Sequence, residues 1–73
     1  MKELMRLYLD ENYNSVHRKK TKFGLIVLDN HGYIYLVDII TSLSNIFSID
    51  RESAFNIVSE WIETRDIVNE NHF

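Results

Sequence analysis

Half of the basic side chains of this 73-residue chain stand in one run, "HRKKTK" at 17–22. Arg18, Lys19, Lys20 and Lys22 are close enough together to contact successive phosphates, each contact releasing condensed counterions. The same run equally suits a solvated loop. A second polar group lies in "DRESAFNIVSEWIE" at 50–63. At 100° per residue, Glu52, Asn56, Ser59 and Glu63 form one outward stripe, with Ser53 and Glu60 at its margins. Asn56 is suited to an adenine edge and a glutamate can accept from cytosine N4. Three glutamates nonetheless oppose approach to a phosphate wall. Arg51 and Arg65 turn toward the inner side of this wheel and suit local pairing. The histidines, His17, His31 and His72, have no i, i+4 ligand spacing. No Gly-rich phosphate loop or nucleophile elbow accompanies the Ser, His and Asp residues. The chain has no cysteine, so a thiolate metal site is excluded. The expectation is a protein without catalytic residues, metal, cofactor or small-molecule substrate.

The elements that position these residues must fit a single domain over 1–73, because a chain this short has room for one core. With 45% hydrophobic and 26% charged residues, the composition is that of a folded globular domain, not a disordered one. No apolar run has transmembrane length, and the acidic residue at position 3 argues against a signal peptide. A cytoplasmic protein without membrane contact is expected. Heavy use of Ile, Asn, Lys, Tyr and Phe with two Gly and no Pro points to an AT-rich coding genome, as in phage or plasmid products. Charge is polarised. Residues 1–28 hold six basic and three acidic side chains, a net of +3, and 29–73 hold two basic and eight acidic, a net of −6.

Residues 2–12 have helical periodicity, with Met1, Leu4, Met5, Leu7 and Tyr8 on one arc. Two apolar runs, 23–28 and 33–37, flank "DNHG", where Asp, Asn and a left-handed Gly32 suit a turn, so a β-hairpin over 23–37 is predicted. Its strands are apolar on both faces, which calls for cover on both. A homodimer follows as an expectation, with Ile34, Tyr35 and Leu36 at the contact. Asp38 is placed as the N-cap of a helix to Phe47, with Ile39, Ile40, Leu43, Ile46 and Phe47 on its stripe. Ser48-Ile49-Asp50 interrupts the pattern. Asp50 caps a second helix to about Arg65, whose inward arc is Ala54, Ile57, Val58, Trp61 and Ile62, and Ile67-Val68 follow as one strand. The fold class is therefore α+β: an N-terminal helix, a β-hairpin, then a helix-turn-helix pair.

The spacing of Leu43, Ile46, Ile49, Ala54, Ile57, Val58 and Trp61 resembles the helix-turn-helix of winged-helix regulators. It is similar in particular to the winged-helix DNA-reading domain of the translocase FtsK, and "ETRDIV" resembles the exit of such domains into the wing. The resemblance covers residues 37–68. It implies a winged-helix-like domain that binds DNA to regulate transcription, with Arg51, Ser53, Asn56 and Ser59 at the contacting positions. Five residues follow Val68, fewer than a wing needs, which leaves the hairpin to serve in its stead. The acidic stripe supports a different class of function. On that alternative, the chain is an acidic interaction module or phage-encoded inhibitor that docks on a host protein through Glu52, Glu60 and Glu63.

Overall fold

A computed structural model of the chain describes residues 1–65 and 67–69. The element order is α1 (Lys2–Asn12), β1 (His17–Thr21), β2 (Gly24–Leu28), α2 (Leu36–Phe47), α3 (Arg51–Glu63) and β3 (Ile67–Asn69). The α+β class and the order of helix, hairpin and helix pair are as expected from sequence. The strand boundaries are not. The basic run at 17–22 is no loop: most of it is β1, the middle strand of a sheet ordered β2-β1-β3. β1 pairs antiparallel with β2, His17 opposite Leu28 through Thr21 opposite Gly24, and parallel with β3, Arg18 opposite Ile67.

The hairpin thus turns at Lys22-Phe23, not at "DNHG". A tight hairpin needs a left-handed residue; neither Lys22 nor Phe23 has one, and Gly24 supplies it at φ 120°. The Phe23 amide donates to Thr21 Oγ1 at 3.1 Å, and that hydroxyl donates to the Gly24 carbonyl at 2.9 Å. "DNHG" joins a strand to a helix instead. Gly32 is left-handed there, φ 85°, and the run 33–37 leads into α2. Short apolar runs do not distinguish a strand from the start of a buried helix.

Helix α2 begins earlier than Asp38. Its N-cap is Tyr35, and Asp38 lies in the first turn, where a carboxylate favours the positive end of the helix dipole. Asp50 caps α3 as expected, its carboxylate accepting from the Ser53 amide at 3.2 Å and from the Ser53 hydroxyl at 2.6 Å. Between the helices, Ser48 takes a left-handed conformation (φ 54°, ψ 44°) and its amide returns to the Ser44 carbonyl. The Ser44 hydroxyl donates to the Ile49 carbonyl at 2.6 Å, and Arg51 donates to Thr41 Oγ1 at 2.7 Å. These bonds hold the crossing of α2 and α3.

The core is helical. Met5, Leu9, Val16, Ile39, Ile40, Leu43, Ala54, Val58, Trp61 and Ile62 are buried together, with Tyr8, Phe47, Ile49 and Ile57 packed around them. The arc of α1 is rotated from the expected one. Met5 and Leu9 are its buried residues, whereas Met1, Leu4 and Leu7 are exposed. Ile46 is also exposed on α2. The sheet joins this body at one end, where Val16 lies in the core and Val27 packs against it, and Leu25 and Phe23 beyond them are exposed. The molecule measures 41 × 20 × 19 Å. No helix is long and apolar enough to cross a membrane among the described residues.

Candidate nucleic-acid interface

Strand β1 presents its cations alternately. The pleat sends successive side chains to opposite faces, so Arg18 and Lys20 share a face with Val27, Leu25 and Ile67, while His17, Lys19 and Thr21 share the other with Leu28 and Ile26. Lys19 and Lys20 form no ion pair among the described residues. Lys22, at the turn, has its ammonium 5.2 Å from the centroid of the Phe23 ring, a cation–π distance. Phe23 itself is 88% exposed at the tip. Its exposure was not legible from an apolar run read as buried strand. The arm therefore carries cations on both faces and an aromatic ring at its end.

Arg18 is differently placed from the lysines. Its guanidinium donates to the Arg65 carbonyl from Nε at 3.2 Å and from Nη2 at 2.7 Å. Arg65 reciprocates, donating to the carbonyls of Val16 at 3.0 Å and Asn14 at 2.6 Å. Its guanidinium also lies 4.8 Å from the Trp61 ring centroid and 3.7 Å from Asp10, which accepts from Trp61 Nε1 at 2.8 Å. The two arginines thus fasten the base of the arm to the end of α3. Arg51 is likewise engaged within the chain, through Thr41, but the partners of Arg65 are distant in sequence and not the local ones that the helical wheel suggests.

On α3, Ala54, Val58, Trp61 and Ile62 face the core. Glu52, Asn56, Glu60 and Glu63 are exposed, and Ser53 and Ser59 are half-buried. The stripe is less acidic in effect than in sequence. Glu60 is held below the usual carboxylate range chiefly by Lys2, which donates to it at 2.8 Å; the cost of burial opposes this, and Arg6 at 3.2 Å adds a lesser lowering. A hollow of about 440 Å³ brings Lys2, Met5, Ser53, Asn56 and Glu60 together between α1 and α3. No local sequence signal places Lys2 and Arg6 beside this face, because only the packing of α1 on α3 brings them there. Phe55, an aromatic residue on α3, is 49% exposed.

The expected contact residues of a dimer separate. Ile34 is 69% exposed beside Tyr33 and Val37, but Tyr35 and Leu36 pack against the chain's own core because α2 begins there. The loop before them is organised by Asp29, a 3% exposed carboxylate. It accepts from the amides of His31 at 2.9 Å and Tyr33 at 3.0 Å, with the His31 ring at 3.3 Å. Burial alone would raise its pKa; the hydrogen bonds from Tyr33, His31 and Tyr35 outweigh it and hold the group below the usual range. His17 and His31 lie in a strand and a turn, and no group of three or more metal-ligating side chains forms among the described residues. His72 lies outside them. Comparison with protein-family models, with curated proteins and with solved structures found no match.

Proposed function

We propose that the chain is a small helix-turn-helix-type regulator, encoded by a phage or plasmid and acting in the cytoplasm, that binds DNA as a homodimer. The observation that carries this is the projecting arm, with Lys19 and Lys20 on opposite faces and Lys22 at its turn. Cations on both faces of the sheet and at its tip suit contacts to phosphates on either side of it. Phosphate contacts supply affinity and register but no sequence information. Of the α3 positions implied by the winged-helix resemblance, Arg51, Ser53, Asn56 and Ser59, base reading falls first to Asn56 and Ser59, because Arg51 and Ser53 are engaged with Thr41 and Asp50, and the hairpin takes the place of the wing. The pairing of Glu60 with Lys2 and Arg6 removes one of the three glutamates that opposed this docking.

Three phosphate contacts per protomer give a slope of log K against log salt of roughly −3, and roughly −5 for a dimer. Titrating a fluorescent duplex at several salt concentrations measures it. Lys19→Gln with Lys20→Gln should flatten the slope by about one unit per lost contact and weaken all sequences alike. Absence of binding to any duplex at low salt would end the DNA assignment.

A second function is favoured by a separate observation. Phe55 is half exposed on the same helix as the exposed Glu52 and Glu63, and an aromatic anchor on a helix face that also carries acidic groups suits a basic protein surface. On that reading the chain is an inhibitor docking on a host protein. Phe55→Ala would then abolish capture of the partner while leaving DNA titrations unchanged.

A further inference from the structure

The charges of the sheet lie on the wrong strand for an isolated edge. The central strand β1 holds Arg18, Lys19 and Lys20, whereas the edge strand β2 reads "GLIVL", with no charge and no proline, in unbroken register with β1. Free sheet edges are ordinarily guarded by lysine, proline or a bulge, because an unpaired row of N–H and C=O groups recruits another strand. Here the guards stand one strand inside, and Leu25 and Ile26 remain 55% and 37% exposed. Such an arrangement is expected of a strand that is interior in the assembled protein.

We infer that β2 is the pairing edge for a second copy of this chain, the two β2 strands running antiparallel about a two-fold axis at Ile26. The inference rests on the dimer in the function proposed above and names its surface. A strand that pairs with itself must be complementary about its own centre, and Gly24–Leu28 is. Leu25 falls opposite the second copy's Val27, Ile26 opposite its counterpart, and the larger Leu28 opposite Gly24, which has no side chain to obstruct it. Apolar pairs therefore meet on both faces, the arrangement that stabilises cross-strand neighbours. Two three-stranded sheets become one of six. The basic strands do not prevent this. With neighbouring strands about 4.8 Å apart, the two copies of β1 lie about 14 Å apart, beyond the screening length of about 8 Å at physiological salt. The lysines of both copies then line a single continuous sheet.

Sedimentation velocity of the full chain, without DNA and from micromolar to millimolar concentration, tests the association by itself. The expected species is a dimer of the 8.7 kDa chain. Because Ile26 faces its own counterpart across the axis, Ile26→Lys and Ile26→Glu should each weaken the dimer roughly tenfold or more by setting like charges opposite each other. Mixing the two variants should restore a heterodimer. Circular dichroism of each variant confirms that the fold is kept, as expected for substitutions on an exposed edge. A parent that stays monomeric overturns the inference and leaves the edge to a strand of another protein. A dimer indifferent to both substitutions, or a mixture that does not re-associate, overturns it as well and moves the contact to another surface such as Ile34. A monomer that binds DNA with a steep salt slope would sink the dimer alone, and a dimer that ignores DNA would sink the DNA assignment alone.

Discussion

Asp29 and Arg65 are charged side chains whose hydrogen bonds go to the backbone. The Asp29 carboxylate closes the loop into α2 with two backbone amides, and its hydrogen bonds favour the charged form in the folded state. A carboxylate whose folded pKa is depressed contributes stability that is complete above its unfolded value, about 4, and is lost as pH falls through the folded value. Asp50 is depressed by its bonds to Ser53, and Glu60 chiefly by Lys2, so all three act in the same direction. The urea midpoint should therefore fall steadily below about pH 5. Asp29→Asn should lower it at neutral pH and flatten its decline in acid. An unchanged acid slope in that variant would remove Asp29 from this role. Arg65 is charged but structural: it serves two carbonyls, covers Trp61 and approaches Asp10. Since charged hydrogen bonds contribute about 1.5–3 kcal/mol each and this side chain is partly solvated, Arg65→Ala should cost about 2–3 kcal/mol in total. Urea denaturation measures this directly, and a loss of DNA binding in that variant would have to be separated from its loss of stability.

At the scale of elements, the joint between α2 and α3 carries a cost that can be removed. Ser48 is the one non-glycine residue of positive φ among the described residues, and the left-handed conformation costs an L-residue about 1–2 kcal/mol. Part of that is returned by the greater unfolded-state freedom of glycine. Ser48→Gly should thus stabilise by up to about 1 kcal/mol, seen as a raised melting temperature. The helix pair was legible because its signals are local: the Asp50 cap, the spacing of Ala54, Val58 and Trp61, and the stripe of Ile39, Ile40 and Leu43 all recur in the structure. The hairpin was legible only in kind. Its first strand, "HRKKT", has no apolar pattern, because the sheet stands off the helical body and β1 is held by backbone pairing on both edges instead of by a buried face. The apolar run 33–37 reads as a strand because it is too short to display a helical period before α2 continues it. For the candidate site, the positions on α3 could be read from the wheel. The proximity of Lys2 and Arg6 to Glu60, and the exchange between Arg18 and Arg65, depend on tertiary contacts between residues far apart in sequence.

Over the whole molecule, charge is separated as it is along the sequence. The arm is basic, and the outer side of α3 retains Glu52 and Glu63 once Glu60 is paired. The two glutamates lie three turns apart on the exposed side, and neither belongs to the core or to an ion pair among the described residues. Replacing both by Lys moves the net charge from −3 to about +1, and exposed substitutions of this kind usually change stability by less than about 0.5 kcal/mol. The double variant therefore separates the two functions with the fold held constant. If α3 enters a DNA groove, nonspecific affinity should rise, the salt slope should steepen by up to about two units, and sequence preference should alter because the changes sit beside Asn56. If α3 docks on a basic protein, association should slow, since complementary charge acts mainly on the rate of encounter. Fluorescence titration with duplex DNA and stopped-flow association with a captured partner give these two readouts. A variant that alters neither would leave this face of α3 as solvated scaffold and confine binding to the arm, where Lys19, Lys20 and Lys22 act without help from the helix pair.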